Sequence, residues 1–321
     1  MIIKSEPFAT YLAREGLNPS AFKAKRNPQE VFYEMNSPRV DKPEFILGRL
    51  FHTLLVEPAM FESHFRLVDN KTFPIQIYLD EAKTRISMRY PSNRGHFQHC
   101  LTIAKGEKID VVTDTIYNVA SAMVQAVERD NGIACIERFR DKSAYVETTM
   151  LGIAIFDDSG FQKFEPLHFE GYKAKKSEIL VKTRPDFFTH DILIDVKTDK
   201  EISPRIFAKT CLYLGYDIQL SFAIDLHNAI FPDDPLPDDN VFILAVEKKE
   251  PYQSVIYKCP ESMIQTGRDR YRKRLEWIKI AIDTGKWVGF NIYSDQTLID
   301  SGMEYHAVSL PFPEISKQNL W

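Results

Sequence analysis

The most constraining stretch of the chain is residues 181–198, "VKTRPDFFTHDILIDVKT". Within it, "ILIDV" is a short apolar run rich in β-formers and preceded by turn residues, which predicts a buried strand. Side chains alternate along a strand, so Ile192, Ile194 and Val196 share one face and Leu193, Asp195 and Lys197 the other. The apolar run therefore ends in an acid beside an amine. Asp186 stands nine residues before Asp195, at the exit of the preceding strand "SEILVKTRPD". If those two strands pair through the turn "FFTHD", the two carboxylates converge. Converging carboxylates repel and need a counter-charge. A hard divalent cation held through oxygen, Mg²⁺ or Mn²⁺, supplies it. Lys197 then stands ready to position a water molecule or to stabilise charge on a phosphate. The Asp-x-Lys triplet taken alone has a plainer reading, a surface ion pair at a strand end.

The surrounding chain gives this strand a setting. "PEFILGRLFHTLLVEPAMFESHF" places Ile46, Leu50, Phe51, Leu54 and Leu55 at helical spacing, with Pro58 as a stop or kink. "VTDTIYNVASAMVQAVERDNG" repeats the pattern through Ile116, Val119, Ala120, Met123 and Val127 and stops at Gly132. "DEAKTRISMR" fits a further helix. The middle changes character: "SAYVETTMLGIAIFD", "SEILVKTRPD" and "DILIDVKT" read as three adjacent strands. Helices follow in "SPRIFAKTCLYLG" and "DIQLSFAIDLHNAI". "PDDPLPDDN" is a loop, "VFILAVEK" and "YQSVIYKC" are strands, and "ESMIQTGRDRYRKRLEWIKIAIDTG" is a long helix ending at Gly285. The expected fold class is α/β: a mixed central sheet flanked by helices, with a helical N-terminal part. The expected division is a helical part at 1–135, a core at 136–285 and an extension at 286–321, integrated into one domain.

Composition narrows the classes. No run of about 18 apolar residues exists, so no membrane span is expected. The N-terminus lacks a long apolar segment with a small-residue cleavage site, so a cytoplasmic location is expected. Cys100, Cys135, Cys211 and Cys259 form no CxxC pair, which argues against a zinc ribbon or an iron–sulfur cluster. "HFQHC" gathers His96, His99 and Cys100 without a second ligand pair. A net charge of −4 argues against a chain that coats nucleic acid indiscriminately, but not against a local basic groove. Basic runs occur at Lys173, Lys175, Lys176, Lys182 and Arg184, just upstream of the acids, and at Arg268, Arg270, Arg272, Lys273 and Arg274. Each is either a phosphate-binding surface or a solvated face. No Walker loop, dinucleotide fingerprint or GxSxG motif is found.

The longer pattern, Pro185-Asp186, a spacer, an apolar triplet and Asp195-Val196-Lys197, resembles the PD-(D/E)xK motif of metal-dependent nucleases. With its surroundings it resembles the RecE (exonuclease VIII) branch, related to the RecB nuclease domain. "GRLFHTLLVEPAMF" matches that branch's N-terminal motif through Gly48, His52, Glu57 and Pro58. "YVETTML" puts Glu147 where a first acid belongs. "YLGYDIQLSFAID" puts Gln219 near the site, while Ala223 stands where RecB-like nucleases often carry a Tyr. The likeness spans roughly residues 40–230. It implies a restriction-endonuclease-like core. The implied activity is a Mg²⁺-dependent exonuclease, with Mn²⁺ able to substitute, acting 5′ to 3′ on double-stranded DNA ends and leaving 3′ overhangs for phage-type recombination. It further implies metal ligation by His52, Asp186, Asp195 and the Val196 carbonyl, catalysis by Asp186, Asp195, Lys197, Gln219 and Glu147, and DNA contacts at Lys175, Lys176, Lys182, Arg184 and Tyr216. A ring-shaped homo-oligomer, such as a tetramer, and a single-strand annealing partner also come with the resemblance. The competing readings are an endonuclease or repair-type single-strand nuclease of the same superfamily, and a DNA-binding module without catalysis.

Overall fold

The computed structural model describes residues 1–4, 6, 8–37, 43–68, 110–140 and 144–289. The helix expected at "DEAKTRISMR", the cluster His96, His99 and Cys100, and the chain after residue 289 lie outside the described residues.

The N-terminal segment holds β1 (Ile2–Ile3) and helices α1 (Phe8–Ala13), α2 (Pro19–Phe22), α3 (Pro28–Asn36) and α4 (Pro43–Val56). Asn18 and Asn27 cap α2 and α3, each followed by Pro at the first helical position. A 3₁₀ turn, Pro58–Met60, and the short α5 (Phe61–His64) lead to β2 (Phe65–Val68), which pairs in parallel with β3 (Asp110–Thr113). Then come α6 (Asp114–Asn131), capped by Thr113 and stopped at Gly132, and α7 (Ile133–Phe139).

The strands form two larger sheets. One has β5 (Thr149–Asp157) at its centre, with β7 (Glu178–Thr183) along one edge and β1 and β6 (Gly160–Pro166) sharing the other. The other runs β11 (Ser254–Lys258), β10 (Val241–Glu247), β9 (Leu193–Asp199), β8 (Phe187–Phe188) and β4 (Tyr145–Val146). β9 and β10 are parallel, and the remaining pairs in that sheet are antiparallel. Helices α8 (Pro204–Leu214), α9 (Tyr216–Ile230) and α10 (Glu261–Thr284) complete the described chain. Among the described residues no helix is long and apolar enough to cross a membrane.

Two strand segments pass from one sheet to the other. β4 continues into β5 through Glu147 and Thr148, and β7 continues into β8 through Arg184, Pro185 and Asp186. The sequence predicts one strand within 143–157; the structure breaks it at Glu147, whose φ is +42°. It also corrects the expected hairpin. β7 pairs with β5, not with β9; the antiparallel partner of β9 is the two-residue β8, cut from the presumed turn "FFTHD". The register is Phe187 opposite Ile194 and Val146 opposite Phe187. Extended by one residue, it lines up Glu147, Asp186 and Asp195 across three strands.

The alternation read from the sequence is kept in β9. Ile194 and Val196 enter a core with Leu50, Phe51 and Leu55 of α4 and Met123 of α6. Leu193 enters a second core with Ile218 and Phe222 of α9 and Tyr271 of α10. β9 is thus covered on both faces, α4 on one and α9 on the other. Burial of these apolar side chains, at about 25 cal/mol per Å², fixes both helices against the strand that carries Asp195 and Lys197.

Candidate metal centre

The site forms where the two sheets meet. Asp186 Oδ2 accepts a hydrogen bond from the Val196 N–H at 2.6 Å. The Glu147 N–H donates to the Asp186 carbonyl at 3.0 Å. His52, from α4, sets Nδ1 3.2 Å from Glu147 Oε1 and Nε2 3.4 Å from Asp186 Oδ2. The same Nε2 is 3.3 Å from the Val196 carbonyl oxygen. One ligand atom from each of His52, Glu147 and Asp186 lies within 4.8 Å of the others. Two carboxylates and an imidazole suit a hard or borderline divalent ion.

Asp195 lies outside this tight group and has its own partners. Lys197 Nζ is 2.6 Å from Asp195 Oδ2, and Gln219 Nε2 donates to Asp195 Oδ1 at 3.1 Å. The Lys197 contact is a close ion pair on the buried Oδ2. The expected meeting of Asp186 and Asp195 with His52 is therefore modified: Glu147 completes the close cluster, and Asp195 borders it on the α9 side of the sheet.

Charge shifts follow the geometry. Burial alone would lower the His52 pKa, but the Asp186 and Glu147 carboxylates outweigh it and hold the imidazole protonated well above its ordinary range. Burial opposes ionisation of Asp186, yet His52, Lys197 and the Val196 N–H together drive its pKa below the usual carboxylate range. Burial pushes Asp195 up to about 6; Lys197 opposes the rise and Asp186 adds to it. Burial would lower the Lys197 pKa, but Asp195 and Asp186 raise it, so the ammonium stays charged. Strongly perturbed groups gathered in one place are a mark of functional sites. Glu147 adds a second mark, a left-handed backbone conformation that costs a non-glycine residue roughly 1–3 kcal/mol.

A model of the PDDEXK-like domain of unknown function, DUF3799, matches residues 20–289. The chain belongs to this PDDEXK-like family. No curated protein matches it. The PDDEXK-like chain is also similar to the crystal structure of an Eubacterium rectale protein provisionally called an exonuclease. That similarity has 12% identity over 88% of each chain and a TM-score of 0.48. The mixed α/β fold class expected from the sequence is the fold of this PDDEXK-like domain. Membership supports a nuclease-type hydrolase.

The predicted DNA contacts of the PDDEXK-like chain divide. Lys175 and Lys176 are exposed, with Lys175 paired to Glu178 at 3.2 Å. Lys182 is a correction. It is buried, and its ammonium donates to the carbonyls of Tyr11 at 2.9 Å, Leu12 at 3.2 Å and Arg14, capping the end of α1. Arg184 is a second correction. Its buried guanidinium donates to Glu147 Oε2 and to the Glu6 carbonyl, each at 2.8 Å, and so holds Glu147 in place. Tyr216 is buried beneath Lys197, whose Nζ lies 5.1 Å from the ring centroid, whereas Tyr213 is 81% exposed.

Three of the basic residues on α10 are partly buried and turned to neighbouring elements, while Arg272 and Lys273 are exposed. Arg268 forks onto Asp225 and Asp238, Arg270 meets Asp217 at 2.6 Å, and Arg274 donates to the Lys25 carbonyl at 3.0 Å. Sequence reading missed Lys23, whose ammonium donates to Gln219 Oε1. The Asn-Pro signal marks the start of α2, but nothing in the local pattern points to the lysine at its end.

Proposed function

We propose that the chain is a divalent-metal-dependent nuclease that hydrolyses phosphodiester bonds in DNA, and that it acts as a RecE-like 5′ to 3′ exonuclease on duplex ends. One observation carries the reading: His52, Glu147 and Asp186 gather at the junction of the two sheets, with Asp195 and Lys197 beside them. The donor set fits Mg²⁺ or Mn²⁺, with His52, Glu147 and Asp186 nearest, Asp195 bordering them and the Val196 carbonyl within reach of His52. Such an ion, when bound, polarises a phosphate and lowers the pKa of a water molecule.

The remaining chemistry belongs to the chain. Lys197, kept charged by its acidic neighbours, orients the attacking water and meets charge developing on the phosphate. Arg184 holds Glu147, and Gln219 holds Asp195, so two of the acids have fixed orientations. Exposed Lys175 and Lys176 are the basic residues proposed to contact the DNA backbone, without base reading. Resemblance to RecE-type enzymes extends the proposal to a ring-shaped homo-oligomer working beside a single-strand annealing protein.

The test is digestion of an end-labelled linear duplex with Mg²⁺, with Mn²⁺ and with chelator, on 5′-phosphorylated and 5′-hydroxyl ends. Mononucleotides released from the 5′ end support the exonuclease. Internal cuts redirect the reading to an endonuclease. No cleavage with either metal sinks it.

A further inference from the structure

Lys23 enters the site from the N-terminal segment, outside the Asp-x-Lys pattern and the strand order. Its ammonium donates to Gln219 Oε1. An ammonium carries three donors and no acceptor, so it can meet only the carbonyl end of an amide. With Oε1 committed to Lys23, Nε2 is the end presented to Asp195 Oδ1, at 3.1 Å. The reversed amide would set Nε2 against an ammonium and Oε1 against a carboxylate. Two hydrogen bonds would become two repulsions.

The surroundings hold Lys23 in this position. The Tyr216 ring centroid is 5.1 Å from Lys23 Nζ and 5.1 Å from Lys197 Nζ, so the two lysines share one aromatic side chain. Burial and then the Lys197 charge push the Lys23 pKa down to about 8, against the pull of Asp195 and Asp186. The group is still mostly charged at neutral pH. The backbone is fixed as well. The Lys23 N–H donates to the Pro19 carbonyl at 2.7 Å. Gly215 lies so close that a Cβ there would sit 2.3 Å from the Lys23 carbonyl oxygen, and its φ of +71° also favours glycine. Gly215 precedes α9, which carries both Tyr216 and Gln219. The end of α2 and the start of α9 are therefore joined at the point where the relay begins.

We propose that Lys23 is a positioning residue that fixes the polarity of the Gln219 amide and, through it, the orientation of the Asp195 carboxylate toward the metal centre. This rests on the nuclease reading of the same site. It gives the first helices of the chain a part in the chemistry: they deliver one cation that sets the direction of a hydrogen-bond relay.

The test is Lys23→Met, read by Mn²⁺ titration calorimetry on chelator-stripped protein and by cleavage kinetics on duplex DNA. Mn²⁺ affinity is expected to fall about 10-fold, the lower range for loss of a group that orients a metal ligand. The kcat falls with it while KM for DNA is unchanged, and Lys23→Arg keeps both near wild type. In a Gln219→Met background, Lys23→Met has no further effect on Mn²⁺ affinity, because no amide remains to be oriented. Wild-type Mn²⁺ affinity in Lys23→Met, or losses that add in full in the double variant, would overturn the proposal. Should Lys23→Met fail to fold, Lys23→Gln replaces it. That side chain can offer either end of its own amide, so it should lose Mn²⁺ affinity where Lys23→Arg retains it, and equal affinities would overturn the relay. A wild-type chain that binds Mn²⁺ but cuts no DNA defeats the nuclease reading, and the calorimetry still decides the relay.

Discussion

The junction of the two sheets and the long helix α10 are both dense in charge, and they treat it in opposite ways. On α10, Arg268 spreads its guanidinium over two carboxylates, Arg270 reaches buried Asp217, and Arg274 finds a backbone carbonyl. These three arginines tie the helix to its neighbours, while Arg272 is exposed. At the sheet junction like charges crowd together. Asp186 raises the pKa of Asp195, Lys23 and Lys197 repel beside one tyrosine ring, and Glu147 sits at a positive φ. Charge density in a sequence is therefore a poor guide to function. Crowding of like charge around one point is the better one, because such groups need a further ion or substrate to balance them.

The sharpest way to break this contrast is Lys197→Ala. Its loss removes a charged donor from the reacting centre, so cleavage of end-labelled duplex should fall roughly 10²–10³-fold. Binding in a mobility-shift assay should persist. Undiminished cleavage would return the Asp195–Lys197 pair to the class of simple ion pairs that α10 exemplifies.

Arg268→Ala tests the other side. Leaving Asp225 and Asp238 without their shared cation should cost about 2–3 kcal/mol of stability, measured by urea unfolding. The specific activity of the folded fraction should stay near wild type. A large kcat loss without loss of stability would move α10 into the functional region.

The metal-free protein should show the crowding as pH dependence. The folded-state pKa of His52 is raised, so its contribution to stability is complete below about pH 6.5, the unfolded value, and is lost as pH rises through the folded pKa. Thermal unfolding in chelator should thus become easier above about pH 6.5, with a slope of at most about 1.4 kcal/mol per pH unit from this group. His52→Gln should flatten that limb. Mn²⁺ affinity should move oppositely, rising with pH as the imidazole proton is displaced. An identical pH profile in both proteins would remove His52 from the cluster.

The smallest effect concerns the exposed lysines. Lys175→Ala and Lys176→Ala should each weaken DNA binding modestly and uniformly across sequences, and reduce the slope of log K against log salt by about 1. An unchanged slope would class them with the solvated surface.

The sequence determined the elements and the chemistry of the central strand. Alternation in "ILIDVKT" placed Ile194 and Val196 against one helical layer and Leu193 against the other, and the structure keeps that division. Local patterns are legible because a strand's period and a helix's spacing are short-range properties. Tertiary structure decided which charges meet. Lys182 and Lys197 look alike in the sequence, yet one caps a helix 170 residues away and the other pairs with an acid two positions before it. Arg184 turned inward to Glu147, Lys23 reached Gln219 from the far end of the chain, and the presumed turn "FFTHD" yielded a strand of its own. Contacts of that range depend on how separate elements pack, and no local spacing encodes the packing.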